Sequence, residues 1–184
     1  MELKPNEIEA VEQIGQLNGS PVRMVKTIGG FWIVVGKPKG KGQEEALAAG
    51  SHPAIVKYNV EKQFSEFQPT LAKSELTGSS ENVRGYTELL PQEMRKGGYE
   101  MYSLSKGSTI DYILTKHGAQ VHSFHAEVSS ESLKFKKSDK PLNENIKGFS
   151  RAVSVVATQQ AKESGKKYVE HEEKKFCVNR LSRK

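Results

Sequence analysis

The sequence predicts an α+β fold: an antiparallel three-stranded meander packed against a long C-terminal helix, with an N-terminal helix and β-hairpin. Three observations predict it. Runs over 98–105, 109–115 and 119–128 alternate in polarity and are separated by Lys106-Gly107-Ser108 and Lys116-His117-Gly118, as strands joined by tight turns do. Residues 143–164 place Ile146, Phe149, Val153, Val156 and Gln160 on one helical stripe, with Ala152 and Ala157 beside it. Residues 6–17 space Ile8, Val11 and Ile14 three apart among glutamates and end at Asn18-Gly19, which reads as a short amphipathic helix and its stop.

The remaining elements follow in chain order. Residues 21–27 and 30–36 form a hairpin around Gly29-Gly30 and hold the only tryptophan, Trp32. The run from Phe31 to Val35 is nearly continuous in apolar character, which predicts a strand buried on both faces. A basic glycine-rich loop over 36–42 precedes a short helix over 43–49, stopped by Gly50. Ser51-His52-Pro53 opens a second helix over 54–67, since proline suits a first helical turn. Residues 68–85 are rich in Ser, Thr, Gly and Pro and read as a loop or hinge. A short helix over 86–94 is interrupted by Pro91, and the meander follows. The long helix stops at Gly165 and leads into a charged segment and a basic tail. The divisions are therefore 1–67, 68–85, 86–170 and a tail over 171–184, expected to form one compact domain.

Side chains alternate across a strand, so each run of the meander divides into two sets. Tyr102, Leu104, Ile110, Tyr112, Leu114, Phe124, Ala126 and Val128 form the apolar set that the 143–164 stripe is expected to cover. Met101, Ser103, Asp111, Ile113, Thr115, Ser123, His125 and Glu127 form the other. That second set supplies the candidate catalytic residues Asp111, His125, Glu127 and Ser103. A histidine between carboxylates can act as a general base, and a serine in reach would complete a nucleophile–base–orienter arrangement. No Gly-x-Ser-x-Gly elbow supports it.

Composition narrows the functional classes. An apolar share of 35% is enough for a core, and 27% charged residues make the chain hydrophilic. No apolar run approaches the roughly 20 residues that span a bilayer, so no membrane partner is expected. The acidic, polar start predicts no secretory leader. A single cysteine, Cys177, allows no internal disulfide, and a cytoplasmic setting (host cytoplasm or virion for a viral chain) is the simplest expectation. No metal site is expected: His122 and His125 differ by three along a strand and so point to opposite faces. No cofactor is expected either, because the loop over 36–42 lacks the spacing and the Ser/Thr of a Walker loop.

The net charge of +6 is unevenly distributed. Residues 1–20 hold one lysine against four glutamates, whereas 151–184 hold nine Lys or Arg against four Glu. Basic clusters of this kind recognise polyphosphates. The expected function is a non-catalytic basic accessory protein that binds nucleic acid, another polyanion or an acidic protein partner, of the kind found in phage or mobile elements. The candidate contacts are Arg23, Lys26, Lys37, Lys39, Lys41, Lys174, Lys175, Arg180 and Arg183. The alternatives are a small hydrolase or group-transfer enzyme using the polar meander face, and a structural or assembly protein.

Overall fold

The computed structural model describes residues 4–70, 82–135, 149–171 and 174–177. The chain divides into two units, Met1–Val83 and Arg84–Lys184. Twelve strands and three α-helices form among the described residues, and strand pairing organises both units.

The first unit contains β1 (Ile8–Leu17), β2 (Ser20–Thr27), β3 (Trp32–Gly36), β4 (Glu45–Gly50), α1 (Pro53–Gln63) and β5 (Phe67–Pro69). Its sheet runs β4-β3-β2-β1-β5 with antiparallel neighbours. Val56 and Val60 of α1 join Ile14, Leu17, Val22, Met24, Trp32, Val34 and Phe67 in one core.

Two helices expected here are strands. Residues 6–17 open with a 3₁₀ turn over Pro5–Glu7 and continue as β1. The three-residue apolar spacing comes from two bulges, since an inserted residue resets the alternation of a strand. A register shift between Ile8 and Ala10 brings Ile8 and Val11 to one face, opposite Thr27 and Val25. A second shift, between Gln13 and Gly15, leaves Ile14 as the extra residue, buried in the core. Asn18-Gly19 is a turn between strands, not a helix stop. Both residues have positive φ, 52° and 81°, as a type I′ hairpin requires. The helix expected over 43–49 is replaced by the edge strand β4 (Glu45–Gly50), with Ala46, Ala48 and Ala49 opposite Val35, Val34 and Ile33. Pairing outweighs the small intrinsic helix preference of alanine.

Gly15 marks a close approach. A Cβ there would lie 2.3 Å from the Gln68 carbonyl oxygen and 2.7 Å from the Phe67 ring. Only glycine lets β5 pair with β1 and seat Phe67 across it.

The second unit holds the larger sheet. Its elements are β6 (Val83–Gly85), α2 (Gln92–Lys96), β7 (Tyr99–Lys106), β8 (Thr109–Lys116), β9 (Ala119–Val128), β10 (Ser132–Phe135), α3 (Phe149–Glu163), β11 (Tyr168–His171) and β12 (Lys174–Cys177). The strand order is β12-β11-β10-β9-β8-β7-β6. The expected three-stranded meander on a long helix is overturned: β7, β8 and β9 are interior strands of a seven-stranded sheet, with β10, β11 and β12 on one side and β6 on the other. β10 and β11 pair in parallel, and α3 lies between them in the chain, as the crossover that a parallel pair needs. Residues 143–148 of the expected helix lie outside the described residues. Ala152, Val156, Ala157 and Ala161 of α3 share a core with Met101, Ile110, Tyr112, Leu114, Phe124, Leu133 and Phe135. Tyr112 stacks on Phe124 with ring centroids 4.9 Å apart.

Candidate functional site

The β7–β8 turn decides which meander residues meet. It contains two residues, Gly107 and Ser108, and pairs Lys106 with Thr109. Counting back from it places Ser103 opposite Tyr112, and Leu104 opposite Asp111. The expected faces of β7 are therefore exchanged, because a one-residue change of register moves every side chain of a strand to the other face. Met101 and Ser103 lie with Tyr112 and Leu114, while Tyr102 and Leu104 lie with Asp111 and Ile113. The second face is not uniformly polar either, since Tyr102, Ile113 and Thr115 are all buried.

Of the four candidate catalytic residues, the fold joins two directly. Asp111 and His125 are register partners on β8 and β9. His125 Nδ1 donates to Asp111 Oδ1 at 2.5 Å, and Lys106 Nζ lies 3.1 Å from Asp111 Oδ2. Partial burial alone would raise the Asp111 pKa; the hydrogen bonds from His125 and Lys106 and their charges outweigh it and hold the carboxyl below its usual value. Glu127 lies two residues along β9 on the same face, opposite Thr109. Ser103 is on the other face, fully buried, donating to Gln160 Oε1 at 3.4 Å. Ser123 shares the His125 face but is two residues away, about 7 Å along an extended strand, which is beyond hydrogen-bond reach. The arrangement is a charged cross-strand cluster in which, among the described residues, no serine hydrogen-bonds His125. His122 lies opposite Leu114 and His125 opposite Asp111, on opposite faces. Burial lowers the His122 pKa.

The outward face beyond β8 alternates in charge. Glu127, Lys134 and Glu170 are successive register partners on β9, β10 and β11, and opposite charges facing across strands stabilise a sheet.

The opposite face carries a polar cluster beneath α3. Tyr86 donates to Gln160 and, at 2.9 Å, to Glu163 Oε2. Arg84 lies 3.6 Å from the same carboxylate oxygen, and Gln160 Nε2 donates to Ser164 Oγ at 3.2 Å. Burial and the neighbouring Glu163 raise the Tyr86 pKa, and burial raises that of Tyr112. Among the described residues, the buried Tyr112 hydroxyl and Thr115 Oγ1 have no hydrogen-bond partner.

The candidate polyanion contacts separate into groups. Arg23 is 2.5 Å from Glu44, and Lys26 is 3.5 Å from Glu9 and stands over the Trp32 ring. Lys37, Lys39 and Lys41 occupy the turn between β3 and β4, with no ion pair among the described residues. That turn is held in place: Gly40, at φ 76°, packs so close to Asn18 that a Cβ would lie 2.6 Å from it. Lys174 and Lys175 belong to the edge strand β12. Arg180 and Arg183 lie outside the described residues.

A basic group absent from the sequence-based candidates lies at the end of α2. Tyr99 pairs with Lys116 in the β7–β8 register, and the Lys116 ammonium stands 5.2 Å from the Tyr99 ring centroid. Arg95 and Lys96 end α2 two residues before Gly98, whose carbonyl accepts the His117 N–H at 3.0 Å. The signal for this pairing was the two-residue turn, which puts Tyr99 opposite Lys116 by counting. Comparison of the chain with protein-family models, with curated proteins and with solved structures returns no match.

Proposed function

We propose that the protein is a non-catalytic basic accessory protein that binds a polyanion, with nucleic acid as the chemical class. The carrying observation is the division of charge between the two units. Residues 1–83 hold nine Lys or Arg against ten Asp or Glu, whereas residues 84–184 hold nineteen against twelve. A charge excess confined to one folding unit gives it a positive field that attracts phosphodiesters and releases counterions on binding. The group-transfer alternative is weaker on this geometry, because it needs a nucleophile beside His125 and Ser103 is buried on the opposite face.

The test is binding of the full chain to a fluorescent DNA single strand and duplex across a salt series. Affinity that falls linearly with the logarithm of salt is expected, with a slope of about 0.9 per phosphate neutralised on duplex. Absence of binding at about 20 mM salt, where screening is weak, would overturn the proposal.

A further inference from the structure

Resting on that reading, we infer that the nucleic-acid contact is a phosphate-binding patch where the end of α2 meets the β8–β9 hairpin, formed by Arg95, Lys96, Lys116 and His117. All four side chains are exposed. Among the described residues no carboxylate forms an ion pair with Arg95, Lys96 or Lys116, in contrast to Arg23, Lys26, Arg84, Lys106 and Lys167, each of which has one. These cations are therefore available to an outside anion.

The patch is built on backbone that is fixed in place. Gly97 N–H donates to Met94 O at 3.0 Å and Gly98 N–H to Arg95 O at 3.1 Å, closing the helix end. Gly98 has φ 86°, and a Cβ on it would lie 2.3 Å from the His117 ring, so the imidazole sits directly against the helix terminus. His117 and Gly118, at φ 50° and 84°, form a tight type I′ turn. The Lys116 ammonium is set over Tyr99, and Tyr99 packs against Gly97 on one side and the core on another.

This arrangement selects the ligand chemistry. The Tyr99 ring is occupied by Lys116, Gly97 and the core, so the patch offers no aromatic platform for base stacking. What it offers is positive charge without a stacking surface, which suits the phosphate backbone. Complementing the α2 dipole is an insufficient role for these cations. α2 has five residues, and Lys116 is not part of it.

The experiment compares three full-length proteins by anisotropy with a fluorescent mixed-sequence DNA, from about 20 to 300 mM salt. They are the wild type, R95E/K96E/K116E and the control K62E/K162E/K167E, three exposed lysines outside every candidate contact. The first triple variant is expected to lose at least about 30-fold in affinity while the control keeps most of it, and its circular dichroism should match the wild type because all three positions are exposed. The milder R95Q/K96Q/K116Q should lower the salt slope by about three phosphates' worth, roughly 0.9 each on duplex. If the wild type binds DNA and both patch variants bind equally well, the patch is wrong and the polyanion reading stands. If the wild type binds no DNA, the polyanion reading itself fails. Capture of polyglutamate in preference to DNA, with the same dependence on Arg95, Lys96 and Lys116, would replace nucleic acid by an acidic protein segment.

Discussion

Asp111 and His125 stand directly opposite one another on β8 and β9, with His125 Nδ1 2.5 Å from Asp111 Oδ1 and Lys106 Nζ 3.1 Å from Asp111 Oδ2. The carboxylate thus ties the β7–β8 turn to β9. It has a structural role that needs no substrate.

That role has a pH dependence. The folded-state pKa of Asp111 is below its ordinary value of 3.8, so its stabilising effect is present above the unfolded pKa and is lost as pH falls through the folded one. Asp111→Asn is expected to cost up to about 1 kcal/mol at pH 7, small because His125 and Lys106 are exposed. The gap between wild type and variant should shrink as pH is lowered from about 5 to below 3, within the range where a carboxylate titrates. Urea denaturation at several pH values checks this; a gap that widens on acidification would refute it.

The two buried tyrosine hydroxyls should respond oppositely to removal. Tyr86 donates to Glu163 and Gln160, whereas among the described residues the Tyr112 hydroxyl has no partner. Tyr86→Phe is expected to destabilise by about 1–2 kcal/mol, and Tyr112→Phe to be neutral or stabilising by about 1 kcal/mol, since it removes an unsatisfied buried group and keeps the stack on Phe124. Equilibrium unfolding of the two variants side by side decides the matter. Equal losses would mean that the Tyr112 hydroxyl is satisfied in solution.

Gly15→Ala tests the seam between β1 and β5. The added methyl would lie 2.3 Å from the Gln68 carbonyl oxygen, a backbone atom that cannot rotate away. A loss of about 1–3 kcal/mol is expected, as for other overpacked sites, together with faster amide exchange at Leu17, which pairs with Phe67. A variant as stable as the wild type would show that β5 moves freely.

Local patterns marked β7, β8 and β9, and the reason is clearest in Phe124 and Ala126. These alternate with exposed or half-buried neighbours along a strand whose inner side faces a core, whereas on β8 Ile113 and Thr115 are buried as well as Tyr112 and Leu114. The apolar stripe around Val156 was legible for the same reason, with a period of 3.6 in place of 2. Ser103 was misplaced because three consecutive residues of β7, Met101 to Ser103, are all buried, which leaves no alternation to phase the strand. The two-residue turn at Gly107-Ser108 held that information instead. The Arg95, Lys96 and Lys116 group was missed because its members lie twenty residues apart and meet only through register.

By itself, the amino-acid sequence determined where the two turns of the meander fall, which segments carry apolar periodicity, and that the basic excess lies toward the C-terminal half. Those are properties of neighbours along the chain. Tertiary structure decided that Ile8–Leu17 and Glu45–Gly50 are strands, that the meander lies inside a seven-stranded sheet, and which charges face one another. The physical reason is that strand hydrogen bonds are made to distant partners. A bulge or a one-residue change of register, invisible in local periodicity, therefore sets which side chains share a face.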